Sequence, residues 1–172
     1  EREGNFNAAT AHRQPGSALK PIMYATAFER GYTPATLLMD LKTEIPTNVP
    51  GQADYVPVNY DGKYRGPIQI RFALGNSINV PAVKMLARVG IKPVMQKAYD
   101  MGIANWEPTG KNLENVGLSL VLGGREATLL EITTAYSSFA NRGVKMESFA
   151  ISEVKDRKDK IIYKHKESRG TK

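Results

Sequence analysis

The chain has 172 residues, of which 41% are hydrophobic and 24% charged, with a formal net charge of +7. That balance suits one globular domain with a real core and excludes a disordered chain. There is no cysteine, which excludes disulfides, zinc–thiolate sites and a cysteine nucleophile.

Residues 1–16 are polar and read as irregular. A helix is expected from Ser17 to Arg30, stopping at Gly31, with Leu19, Ile22, Met23 and Ala27 as its apolar stripe. Pro21 cannot donate to the carbonyl of residue 17, so the start of this helix should be loosened. Residues 32–67, punctuated by Pro34, Pro46, Pro50 and Pro57, read as a long irregular excursion with a turn at Asp61-Gly62. Ile68 to Gly75 reads as a short helix broken by Asn76-Ser77-Ile78-Asn79. Val80 to Val89 follows as a second helix with Pro81 near its first position, and Lys92 to Met101 as a third that ends at Gly102.

Residues 103–116 are turn-rich, and Leu118 to Leu122 is a short apolar run before Gly123-Gly124. Those glycines suit close backbone packing or a turn, since no phosphate-loop lysine follows them. Thr128-Leu129-Leu130-Glu131 matches a capping box. It opens a helix carrying Leu129, Ile132, Ala135, Tyr136 and Phe139 that ends at Asn141-Arg142-Gly143. Ile151 to Val154 and Lys160 to Tyr163 suit a hairpin around Asp156–Asp159. The elements are mostly helical, with little strand and no internal repeat.

Six lysines and two arginines crowd the stretch from Lys155 to Lys172. This is either a solvated surface or a contact for an anionic partner such as a membrane surface or an acidic polymer. Nothing points to nucleic acid, because aromatic-interleaved basic motifs and finger spacings are missing. No apolar run approaches the roughly 18 residues of a membrane span, and no signal peptide is visible. The opening Glu1-Arg2-Glu3-Gly4 resembles neither a start site nor a processed terminus, so a piece of a longer protein is expected.

The residues with chemical potential begin at Arg13-Gln14-Pro15-Gly16-Ser17-Ala18-Leu19-Lys20. A Pro-Gly turn delivers Ser17 to a helix start, and Lys20 follows three positions later on the same face. A lysine amine so placed can take the serine proton without a histidine. The alternative is an ordinary N-cap serine beside a solvated lysine. A chain with eight serines and fourteen lysines yields such spacings by chance. A second one, Ser152-Glu153-Val154-Lys155, falls on a predicted strand, where i and i+3 point to opposite faces. Ser77-x-Asn79 lies in a helix-to-helix break. There a hydroxyl can relay a proton and an amide can hold both a lysine and a substrate carbonyl, or the pair simply serves local backbone hydrogen bonds. His12 and His165 read as exposed bystanders, and Trp106 as core or cleft wall. Tyr60 and Tyr64 are candidates for the wall of a groove. No cofactor and no metal are called for.

Taken together, several runs resemble the transpeptidase domain of class A, bifunctional, penicillin-binding proteins. They are Arg13 to Pro21; Val58-Asn59-Tyr60-Asp61-Gly62-Lys63-Tyr64-Arg65-Gly66-Pro67; Arg71-Phe72-Ala73-Leu74 leading into Ser77-Ile78-Asn79-Val80-Pro81-Ala82-Val83; and Leu120 to Glu131 with Ala135-Tyr136 and Phe139-Ala140-Asn141-Arg142-Gly143. They span about residues 5–145 in the right order.

The resemblance implies an α+β fold. The chain would carry the mostly helical portion of a domain like that of penicillin-binding proteins and serine β-lactamases, with most of the antiparallel sheet missing. Residues 1–172 would then be one partial domain with a helical core at about 17–143, the excursion 32–67, and a hairpin and basic tail at 148–172. It further implies Ser17 as acylated nucleophile, Lys20 as general base, Ser77 as proton shuttle, and Asn79 as the residue that binds the substrate amide and steadies Lys20. The Ser17 backbone N–H would form half of an oxyanion hole.

The implied substrate is the D-Ala-D-Ala end of a peptidoglycan stem peptide, with β-lactams as acylating mimics. The implied place is the bacterial cell envelope, outside the cytoplasmic membrane (the periplasm in a Gram-negative). The parent would be membrane-anchored with an upstream glycosyltransferase domain. One departure stands out. The family's Lys-Thr-Gly or Lys-Ser-Gly triplet occurs nowhere in the chain; Lys42-Thr43 is followed by Glu44. The triplet would lie on a strand after this region, so this piece alone is expected to be inactive. A serine β-lactamase or β-lactam sensor of the same fold, and a non-catalytic binding or scaffold domain, remain as alternatives.

Overall fold

Strand β1 (His12–Arg13) runs into a 3-10 turn at Gly16–Leu19 and then helix α1 (Lys20–Glu29). The computed structural model describes residues 4–47, 53–114, 116–166 and 170; Pro50, Arg169 and Lys172 lie outside them. The single helix expected from Ser17 is thus split. Pro21 has no N–H to return to the Ser17 carbonyl, and the Lys20 N–H bonds that carbonyl instead, closing a tighter i to i+3 turn. Leu19, Ile22, Met23 and Ala27 are buried as expected, but so are Lys20, Tyr24 and Thr26. The helix is therefore enclosed on more than one face, and its sequence is accordingly apolar beyond a single stripe.

The excursion is more ordered than its prolines suggest. Leu37–Asp40 forms β2 and pairs antiparallel with β3 (Gly66–Gln69), with Leu38 opposite Ile68 and Asp40 opposite Gly66. Leu38 and Asp40 point inward while Leu37 and Met39 face out, the alternation of a half-buried strand. Pro67 is tolerated because each strand of a two-stranded sheet keeps an unpaired edge. The Asp61-Gly62 turn forms, closed by the Gly62 N–H on the Asn59 carbonyl at 3.0 Å. The helix expected from Ile68 begins two residues later, because Ile68 and Gln69 belong to β3. It is α2 (Ile70–Gly75), and it is followed by α3 (Asn79–Val89) and α4 (Ile91–Asp100).

Beyond α4, 3-10 turns at Ala104–Trp106 and Leu118–Leu122 flank the short helix α5 (Gly110–Leu113). Trp106 is fully buried, and its Nε1 donates to the Glu126 carbonyl at 2.9 Å. Strand β4 (Ala127–Thr128) pairs with β1 and leads into α6 (Leu129–Ala140). The capping box at its start is complete: Glu131 N–H donates to Thr128 Oγ1 at 3.1 Å, and Thr128 N–H to Glu131 Oε2 at 2.8 Å. Of its predicted apolar stripe only Ala135 is fully buried; Leu129 and Phe139 are exposed, with no described element covering them. β5 (Glu153–Lys155) and β6 (Ile161–Lys164) form the terminal hairpin, its turn held by Asp156 Oδ1 accepting from the Lys158 and Lys160 N–H groups. His165 is half-buried rather than free, with its ring stacked on Phe149 at 3.8 Å.

The core joins α1, α3, α4 and the Leu118–Leu122 turn around Met23, Val83, Leu86, Met95 and Trp106. Among the described residues, helices surrounded by three two-stranded antiparallel sheets give an α+β architecture. No helix there is long and apolar enough to cross a membrane.

Candidate active site

Lys20 heads α1 with its side chain fully buried, yet it is at the centre of a polar cluster. Its Nζ donates to the Ser77 carbonyl at 2.5 Å, to Asn79 Oδ1 at 2.7 Å and to Ser77 Oγ at 3.1 Å. An ammonium has three N–H donors, and each meets a neutral oxygen. Among the described residues no carboxylate pairs with it. Burial without a compensating negative charge penalises the charged form, and the pKa falls from 10.5 to about 8.

The break that supplies these oxygens has a defined geometry. Ile78 N–H returns to the Ala73 carbonyl at 2.8 Å and Ser77 N–H to Leu74 at 2.9 Å. This is the Schellman closure of α2, in which the residue after the C-cap is left-handed and is usually glycine. Here that residue is Ser77, at φ +52°. A serine held there is strained by roughly 1–2 kcal/mol relative to an ordinary conformation. The result is that its carbonyl and hydroxyl both face Lys20. Asn79 opens α3. Its Nδ2 donates to the Val58 carbonyl at 2.9 Å, which leaves Oδ1 for the lysine.

Ser17 sits in the 3-10 turn just before α1, exposed to solvent, and its hydroxyl makes no hydrogen bond among the described residues. The four sequence candidates therefore divide. Lys20, Ser77 and Asn79 are bonded together, while the Ser17 hydroxyl, one turn before Lys20, makes no bond to its amine. All three lysine donors are taken up by residues 77 and 79, which accounts for the missing link. A neutral amine would have a lone pair to offer the serine O–H.

The Ser17 turn is held from three sides. β1 pairs with β4, Arg13 opposite Ala127. Tyr136 Oη donates to the Ala18 carbonyl at 2.7 Å. Gly16 adopts φ +58° and packs against Gly123, where a Cβ would lie 2.6 Å from the Gly16 Cα and closer still to its nitrogen. Gly123 thus serves close backbone packing, one of the two roles expected of it.

A cleft of about 160 Å³ opens beside Ser77, lined by Asn59, Tyr60, Asp61, Arg65 and Ile78. Tyr60 stands in its wall and is fully exposed; Tyr64 is not among its lining residues. A larger cavity of about 640 Å³, lined by Glu29, Lys97, Asp100, Ser138 and Lys145, contains none of the four candidates. The described residues include no cluster of His, Asp or Glu able to hold a metal ion. Sequence reasoning missed Asn59, Asp40, Tyr136 and Gly16, the packing partner of Gly123, as supports. Three of them lay inside recognised runs, but their roles depend on contacts across tens of residues.

Residues 3–171 match the sequence model of the penicillin-binding protein transpeptidase domain. The chain is 35% identical over 158 residues to penicillin-binding protein 1A of Aquifex aeolicus, covering 91% of this chain and 20% of that protein. It is 38% identical over 154 residues to penicillin-binding protein 1A of Rickettsia felis, covering 90% and 18%. The chain thus spans about a fifth of the length of these curated relatives. The crystal structure of penicillin-binding protein 1A from Haemophilus influenzae superposes with a TM-score of 0.85 at 30% identity, over 98% of this chain and 24% of that one. The imipenem acyl-enzyme complex of penicillin-binding protein A from Mycobacterium tuberculosis shares the fold, with a TM-score of 0.77 at 22% identity over 95% and 41%. The resemblance drawn from the motifs holds, and the fold is that of a partial domain of this kind: the chain belongs to the penicillin-binding protein transpeptidase domain family.

Proposed function

We propose that this chain is the helical portion of a peptidoglycan D,D-transpeptidase that acts through a serine acyl-enzyme. The observation that carries the proposal is the buried Lys20 amine, held by residues 77 and 79 without a counter-charge and so within reach of the neutral form near physiological pH. In this scheme Lys20 takes the Ser17 Oγ proton as Oγ attacks the carbonyl carbon between the two D-alanines. The Ser17 N–H contributes half of the oxyanion hole. Ser77 relays the proton from Lys20 to the departing nitrogen, the C–N bond breaks, and D-Ala leaves an ester on Ser17. The amine of a second stem peptide then attacks the ester, forms the cross-link and frees the serine. Asn79 binds the substrate amide and steadies Lys20 throughout. A β-lactam, whose strained amide mimics the dipeptide, acylates the same oxygen.

The parent would sit in the bacterial envelope outside the cytoplasmic membrane, anchored and preceded by a glycosyltransferase domain. Residues 1–172 form one partial domain of it: core 17–143, excursion 32–67, hairpin and tail 148–172. The family's Lys-Thr/Ser-Gly triplet, which would complete the oxyanion hole, does not occur in this sequence, so in this scheme the piece alone is inactive. The test is release of D-Ala from a stem peptide ending in D-Ala-D-Ala by the full-length parent. Release that disappears in Ser17→Ala is expected; equal release by that variant would contradict the proposal.

A further inference from the structure

Helix α3 begins without a cap of its own. Its N-cap residue, Ile78, has no side-chain acceptor, and a helix start leaves N–H groups that need one. The acceptor comes from the excursion. Asn59 Oδ1 receives the Asn79 N–H at 3.1 Å and the Val80 N–H at 3.0 Å. The other end of the same amide donates to Asp40 Oδ1 at 2.7 Å and to the Lys63 carbonyl at 2.7 Å. All four hydrogen-bonding positions of the side chain are used, and Asn59 is only 5% exposed.

Asp40 is fully buried in β2. Its Oδ2 accepts the Arg65 backbone N–H at 3.1 Å and lies 3.5 Å from the Arg65 guanidinium. With both oxygens engaged, the carboxylate dictates which way the Asn59 amide points. The neighbouring Val58 carbonyl takes Asn79 Nδ2, so residues 58 and 59 hold both the backbone and the side chain of Asn79. That leaves one Nδ2 N–H and Oδ1, and Oδ1 meets Lys20.

Resting on the acyl-transfer scheme above, we propose that Asn59, oriented by Asp40, is a positioning residue for that reaction: it fixes the first turn of α3 and so sets where the Asn79 carbonyl meets the Lys20 amine. Asn59 itself touches none of the reacting atoms. Its loss lets the start of α3 drift, and shifts on the order of 1 Å in such supports slow chemistry by up to about a hundredfold.

The experiment uses the full-length parent and a labelled penicillin. Saturation kinetics separate the affinity of the initial complex from the acylation rate constant, and thermal unfolding is followed in parallel. Asn59→Ala and Asn59→Asp are expected to lower the acylation constant by about ten- to a hundredfold while affinity moves by less than about threefold. Asn59→Asp keeps the shape and the cap but sets oxygen against both Asp40 and the Lys63 carbonyl. The exchange Asp40→Asn with Asn59→Asp restores a donor between them and keeps an acceptor for Arg65 N–H; the Lys63 carbonyl, at the edge of the exposed turn, shifts to water, so the rate should return to within about fivefold.

Acylation constants that stay unchanged in folded single variants, with only the melting temperature lowered, would overturn the proposal. A double variant no faster than Asn59→Asp would overturn the part given to Asp40. If neither single variant folds, the double variant decides: folded and within about fivefold supports the proposal, folded and about a hundredfold slower overturns it. An unmutated parent that takes no label would refute the acyl-transfer scheme and this inference with it. A labelled parent with unaffected variants refutes this inference alone.

Discussion

Lys20 makes the pH dependence of acylation a direct readout of the site. The ordinary lysine pKa of 10.5 leaves roughly three amines in ten thousand unprotonated at pH 7; a pKa of about 8 leaves about a tenth, a gain of about 300-fold in competent base. Below pH 8 the acylation rate of the full-length parent should therefore rise about tenfold per unit, and it should level off above pH 8. The assay is the initial rate of labelled-penicillin attachment between about pH 6 and 9, corrected for hydrolysis of the reagent. Lys20→Arg, charged throughout this range, should lose about 10²- to 10⁴-fold in rate and the pH step with it. The sign extends to stability. Between about pH 8 and 10.5 the unfolded chain holds a proton that the folded chain has released, so stability rises with pH across that window, by about 3 kcal/mol. A rate flat from about pH 6 to 9, or one still climbing about tenfold per unit at about pH 9, would refute the argument that burial without a counter-charge prepares this base.

Ser77→Gly should cost about 1–2 kcal/mol in thermal unfolding: relief of the left-handed strain slightly exceeds the entropy glycine adds to the unfolded chain, but a buried Lys20 N–H loses its Oγ partner; acylation should slow in the same variant. Gly123→Ala drives a Cβ into the Gly16 backbone, so about 1–3 kcal/mol should be lost in denaturant unfolding, with slower labelling of Ser17 in the fraction that folds. Trp106→Ala empties a fully buried site and should cost about 3–5 kcal/mol by the same measurement.

Much of the scaffold was legible because local chemistry dictated it. Pro21 foretold the loosened start of α1, and the Thr128–Glu131 pair foretold the start of α6. The strand Leu37–Asp40 was not legible. Four residues of weak alternation among prolines give little local signal, and only pairing with Gly66–Gln69 reveals it. At the site, the convergence of Lys20, Ser77 and Asn79 rested on resemblance, since no spacing rule links positions 57 and 59 residues apart. The left-handed Ser77 was hidden for a related reason: glycine is the usual residue there, and serine carries no sequence mark of the conformation. The role of Asn59 was equally hidden, because a cap supplied from a distant loop leaves no pattern around the helix it caps.

The chemistry proposed here meets its most direct test in mapping the attached group. After reaction of the full-length parent with a labelled penicillin, tryptic digestion should place the adduct on the peptide from Gln14 to Arg30, because Pro21 blocks cleavage after Lys20. Fragmentation should assign the added mass to Ser17, and the Ser17→Ala protein should carry none. Label on any other residue, or equal label on the alanine variant, would contradict it.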